Sequence, residues 1–140
     1  MSNITSAKGK GLAERDVARL QALRLRLLHL HHGLLEMERV NYEKVSGRVN
    51  SGELLQLVIN HAQFAWLRMI SALVVQIDEM LDEDEPVLPS SVESLFTQAR
   101  KLFTDSDNKE FRARYEAALQ TEPGIVMAHA EVMKLLRETA

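Results

Sequence analysis

The chain has 140 residues, of which 46% are hydrophobic and 26% charged, with a net charge of −3 and no cysteine. That length suits one domain with a core of its own, and the missing cysteines exclude disulfides, thiol catalysis, cysteine-ligated zinc and iron–sulfur clusters. The acidic balance argues against a nucleic-acid surface, which needs a basic face, and no stretch nears the roughly 18 uninterrupted apolar residues of a membrane span.

Residues 1–11 are small and polar and hold two lysines. They lack the apolar run of a signal peptide. The expectation is a disordered N-terminal tail over 1–11, then a single helical-bundle domain over 12–140, at work in the cytoplasm. Six glycines and three prolines fall where helices should start or stop. Good helix formers fill the rest, and no alternating β-branched run appears.

A first helix is expected over residues 12–45. Leu20, Leu23, Leu27, Leu30, Leu34 and Met37 repeat at alternating spacings of three and four, a heptad seam. Gly47 suits its C-cap, and Gly33 inside it suggests a close helix contact. A second helix is expected over 51–82, opened by a capping pair, Asn50 with Glu53. Its main stripe is Leu55, Ile59, Ala62, Trp66, Ile70, Leu73, Ile77 and Met80. Leu57, Phe64 and Val75 lie nearly opposite, so this helix is apolar over most of its circumference. Such a helix is either central or uses its second face in an interface. Its acidic end, Asp78 to Glu85, reads as a solvated terminus; it lacks the spaced ligands and central glycine of a calcium loop.

Three shorter helices follow: 90–104 with a Ser90–Glu93 capping box, 108–120 capped by Asp107, and 123–138 opened by Pro123. The fold class is all-α. The architecture expected is a four-helix-like bundle of five helices, built on a long antiparallel hairpin that turns at residues 46–50.

His29, His32 and Glu36 share one helix face, but Leu27, Leu30 and Leu34 claim the core side. The trio points outward with too few ligands for a metal. No metal and no cofactor is expected. Arg15, Arg19 and Arg26 can share a side, diluted by Glu14 and Asp16 and without interleaved aromatics to stack on bases. With Arg24 they read as a solvated flank. His129 sits amid Ile125, Val132 and Leu136. It is either a core histidine bonded to a backbone carbonyl or acidic side chain, or a ligand or acid–base group lining an internal pocket. His61 lies at the edge of the second helix's stripe, and a site gains weight if the two histidines meet. No phosphate loop or nucleophile elbow occurs, so no catalytic residue is expected.

The run from Ser51 to Ile59, SGELLQLVI, with QFAWLR at 63–68 and VQIDE at 75–79, resembles a block in small bacterial all-helical proteins of unknown function. The resemblance covers mainly the first half of the chain, with a fainter likeness at AHAE, 128–131. It implies a compact bacterial helical domain and carries over no functional residue.

Two functions are expected from these readings. The first is a non-enzymatic protein acting through self-association, as a homodimer, or through a protein partner, with Leu57, Phe64 and Val75 at the interface. The alternative is a small-ligand or metal-binding bundle with an internal site near His129 and His61.

Overall fold

A computed structural model describes residues 12–138; the expected tail over 1–11 lies outside the described residues. Among them all regular structure is helical: α1 (Glu14–Ser46), α2 (Ser51–Asn60), α3 (Ala62–Ala65), α4 (Arg68–Asp82), α5 (Pro89–Asp105), α6 (Lys109–Thr121) and α7 (Pro123–Glu138).

α1 follows the leucine seam. Leu20, Leu23, Leu27, Leu30 and Leu34 are all fully buried. Glu14 and Asp16 in the first turn and Lys44 in the last complement the helix dipole. The end is set by Gly47, at φ 88°, whose N–H donates to the Glu43 carbonyl at 3.0 Å. That left-handed conformation is open to glycine at no steric cost.

The second helix is not continuous, which corrects the expected long hairpin and five-helix count. His61 is extended, at φ −92° and ψ 134°. Its Nδ1 accepts from the Gln63 N–H at 3.1 Å, capping α3. Arg68 donates to the carbonyls of Val58 and Ile59, at the end of α2. Three of the backbone groups that the break frees, one N–H and two carbonyls, are thus supplied with partners. The second interruption is milder. Trp66 and Leu67 stay right-handed, and bonds such as Leu67 N–H to Phe64 carbonyl (3.2 Å) and Ile70 N–H to Leu67 carbonyl (3.1 Å) span three residues in place of four and tighten the helix locally.

The extended residue changes which side chains reach the core. Phe64, Trp66, Leu67, Ile70, Leu73, Val74, Ile77 and Leu81 are buried, while Leu55 and Ile59, expected on the core stripe, are exposed. α1 packs against α4 and α7, α5 packs against both of those, and α6 lies on α7. Among the seven described helices α2 alone has no buried residue.

Two expected caps also move. α5 starts at Pro89, whose missing N–H costs nothing in a first turn; Glu93 leaves Ser90 and turns to Arg19 instead. α6 is capped by Asn108, whose side chain accepts from the Phe111 N–H at 2.9 Å, and Asp107 pairs with Lys101 at 3.0 Å.

Gly33 marks a close approach, as expected. A Cβ there would lie 2.8 Å from Ile125 Cδ1, across the α1–α7 contact. Gly33→Ala should therefore lose the roughly 1 kcal/mol gain in helix propensity to the displacement of a buried isoleucine. In an Ile125→Val background the blocking methyl is gone, and the same substitution should stabilise. Urea denaturation of the four chains of this double-mutant cycle reads the sign change directly.

Candidate functional site

α1 carries a buried polar residue that periodicity alone hides. Glu38 follows Leu34 by four, so it takes the next seam position, and Met37 moves to the half-buried flank. Glu38 is 5% exposed. Its Oε2 accepts from Trp66 Nε1 at 2.8 Å and its Oε1 from Gln63 Nε2 at 2.8 Å. Arg114 of α6 stands 3.6 Å from Oε2. Phe111 lies against Trp66, with ring centroids 5.6 Å apart. One carboxylate thus fastens α1 to the α3–α4 junction and to α6. The signal for it was an acidic residue on the seam, i+4 from a leucine.

His129 is half-buried, not central. Its Nδ1 is 2.7 Å from Tyr115 Oη, and its ring lies 5.5 Å from Tyr115 and 6.4 Å from Phe103. Its partner is a tyrosine hydroxyl, not the backbone carbonyl or acidic side chain expected of a core histidine. His61 stands in another ring cluster, with Tyr42 at 5.5 Å and Phe64 at 6.2 Å, and its Nδ1 caps α3. The two histidines expected to share a site are not brought together, because the break at His61 turns that residue out to the surface.

Burial, with Arg137 nearby, holds the His129 imidazole below its ordinary value of 6.5, and burial pushes the Tyr115 phenol up. Burial, reinforced by His32, acts the same way on His31. Such imidazoles take up protons in the unfolded chain before they do so in the folded one. Their contribution to stability is complete above pH 6.5 and is lost as the pH falls through the folded values. The carboxyls of Glu36, Glu43 and Glu93, held below 4.5 by hydrogen bonds from Arg39, the Val49 N–H and Arg19 respectively, act only further down. Urea midpoints measured between pH 7.5 and 5.5 should therefore drop, and His129→Gln should remove part of the drop, with His31 supplying the remainder.

His29 and His32 are exposed, as expected, but the surface around them is not flat. With Gly33, Met37 and Lys44 they line a groove of about 380 Å³ closed on its far side by Gly124 and Ile125 of α7. Glu36 is held by Arg39 at 2.6 Å, and Arg39 also reaches Glu43 at 2.7 Å. Glu36 is therefore paired to an arginine. Among the described residues no group of three histidine or carboxylate side chains is placed to hold a metal ion.

Of the four arginines expected on a solvated flank, Arg15 is exposed, but the other three are engaged with neighbouring helices. Arg19 is buried, pairs with Glu93 at 2.7 Å and Asp16 at 3.0 Å, and lies 4.4 Å over the Phe96 ring. Arg24 meets Asp78 at 2.6 Å and Arg26 approaches Glu131 at 4.0 Å. Three arginines of α1 thus reach three other helices: α5, α4 and α7.

No family model, no curated protein and no solved structure matches the chain. The chemistry of its own surface carries the functional argument.

Apolar side chains are exposed at Leu25 and Val45 of α1, at Leu88 before α5 and at Met127 of α7, and at two positions, Leu55 and Ile59, on the short helix α2. Five of its residues, Leu54, Leu55, Leu57, Val58 and Ile59, are apolar, and Glu53 is its one charge. Leu54, Leu57 and Val58 are half-buried against the core, whereas Leu55 is 57% and Ile59 52% exposed. Of the three residues expected at an interface, Val75 is exposed at 53% and Leu57 is half-buried. Phe64 must be corrected: it is 0% exposed, because the extended backbone at His61 brings it from the outer face into the core. No described helix is long and apolar enough to cross a membrane.

Proposed function

We propose that this chain is a non-enzymatic helical protein that works by associating with a second copy of itself through α2. The observation that carries this reading is a ten-residue helix, half apolar, with no buried side chain. Leu55 and Ile59, four residues apart, present their side chains to water on one face. Clustered exposed apolar side chains on a folded domain mark contact surfaces. The near absence of charge on α2 favours a like partner, since two copies meet without repulsion. The cysteine-free sequence suits the cytoplasm.

Sedimentation across a dilution series tests this. The native chain should dissociate on dilution, and the Leu55→Asp, Ile59→Asp double variant should be monomeric throughout while keeping its helical circular dichroism. A native chain that is monomeric at every concentration ends the reading. The ligand reading at His129 has weaker support, because the imidazole Nδ1 already faces Tyr115 and the residue lines none of the grooves described. Its test is a thermal shift with divalent ions, compared between the native chain and His129→Ala.

A further inference from the structure

His61 joins two helices, and its side chain holds one of them by a bond that needs a neutral ring. Its backbone N–H donates to the Leu57 carbonyl at 2.8 Å and closes α2, and its own carbonyl accepts from the Phe64 N–H at 3.0 Å and opens α3. Between these two bonds the backbone is extended. The side-chain cap of α3 is the Gln63 N–H donated to His61 Nδ1 at 3.1 Å. Caps of this kind are ordinarily the side-chain oxygens of Ser, Thr, Asp or Asn, which accept throughout the neutral range. An imidazole nitrogen accepts only while it carries no proton. Imidazole is also the side chain whose unperturbed titration falls between pH 5 and 8, so histidine can make a cap reversible where Asn or Ser cannot.

The ring is held from two sides. Tyr42 of α1 meets it edge-on, with centroids 5.5 Å apart and planes at 83°, and Phe64 of α3 does the same at 6.2 Å and 82°. Turning the ring over does not restore the bond once the imidazole is charged, because both of its nitrogens are then donors.

We infer that His61 is a proton-sensitive latch on α2: a proton taken up at Nδ1 puts a donor where the α3 cap had its acceptor, and α2 is released to move about residue 61. The latch is independent of the self-association reading. α3 stays in place, because Phe64 is fully buried and the Gln63 amide is tied to Glu38 at 2.8 Å. α2 has no buried side chain and is the element that yields. The other titratable and charged groups gathered at the junction supply no replacement. Tyr42 offers a ring edge. The Glu38 carboxylate of α1 is taken by Gln63 and Trp66, with Arg114 of α6 at 3.6 Å. Arg68 of α4 already donates to the Val58 and Ile59 carbonyls. The end of α2, where a cation is ordinarily favoured, therefore holds one before His61 is charged.

Amide hydrogen exchange on the full-length chain, followed by nuclear magnetic resonance and normalised to the intrinsic rate at each pH, tests the latch. It is measured at pH 7.5 and at the lower pH where the His61 nitrogen shifts report a charged ring. Protection of the Gln63 amide and of the last turn of α2 should fall about fivefold, the scale of a lost cap. His61→Asn, whose side-chain oxygen caps at either pH, should keep its protection at both, and His61→Ala should be low at both. His31 and His129 are present in all three chains, so a fall of their making appears in His61→Asn as well. That result overturns the inference, as does native protection unchanged by charging the ring, or His61→Ala protection equal to native at pH 7.5. A proton found on Nδ1 at pH 7.5 overturns it too. Opening at residue 61 leaves the core of α1, α4, α5 and α7 closed, so the latch is read by exchange and not by the urea midpoint.

Discussion

Glu38→Ala is expected to cost about 1–3 kcal/mol, the range for leaving a buried donor without its acceptor. Three donors lose their acceptor together: the Trp66 indole N–H, the Gln63 amide and the Arg114 guanidinium. The indole N–H is buried and cannot turn to water without opening the junction between α1 and the α3–α4 segment, whereas Gln63 is half-buried and Arg114 partly exposed. Glu38→Gln retains a carbonyl oxygen for one donor and should lose less than half as much. Trp66 is the single tryptophan, so its emission reports on this site without interference. Denaturation followed by that emission yields the stability, and a red shift in the folded Glu38→Ala chain would show water reaching the indole. A loss under 1 kcal/mol would mean that the network is spectator to the packing around it.

Phe64→Ala should cost more, about 3–5 kcal/mol, for a different reason. Phe64 is completely buried and its ring lies 6.2 Å from that of Tyr42 on α1 and 6.2 Å from that of His61. Truncation removes the whole phenyl ring and leaves a cavity at the place where the chain leaves α2. The comparison that gives the experiment meaning is Leu55→Ala, which should change stability by no more than about 0.5 kcal/mol while weakening association. A core residue and an interface residue, nine positions apart, are thereby separated by two readouts. Were Phe64→Ala to leave the urea midpoint unchanged and dissociate the dimer, the placement of this side chain in the core would be wrong.

The pair also shows what could and could not be read from the sequence. The leucine seam of α1 was legible because three heptads of spacing leave one face to bury. The Asn50 capping box, the Gly47 end and the Pro123 start were legible because each is a local bond or a local restriction of φ. The break at His61 was not legible from periodicity. It rests on two side chains taking up backbone groups nearby: His61 gives its ring nitrogen to a cap two residues on, and Arg68 reaches back nine and ten residues to the α2 carbonyls. An apolar run carries no mark of either. Once the helix is broken, the apolar pattern changes phase. Leu55 and Ile59 leave the core, Phe64 enters it, and Val75, beyond the break on α4, remains outside.

The candidate histidines erred for a related reason. His61 and His129 were joined in thought by their residue type and their apolar neighbours, but contact between helices depends on the phase of each. Glu38 was overlooked because a seam tends to be read through its leucines, and an acidic residue on it looks like an interruption. Its partners lie 25 and 28 residues further along the chain, beyond any local rule.

The same break has a consequence for how association and folding are linked. A ten-residue helix does not persist in water by propensity alone. α2 is tied down by the Asn50 box at one end, by Arg68 at the other and by three half-buried side chains between. With no buried side chain and one extended residue between it and α3, it can melt while the core of α1, α4, α5 and α7 stays intact. If the proposed self-association holds, a second copy covering Leu55 and Ile59 would stabilise the helical form of α2 by mass action. Protein concentration would then set the fraction of α2 that is helical as well as the fraction of chains that are paired.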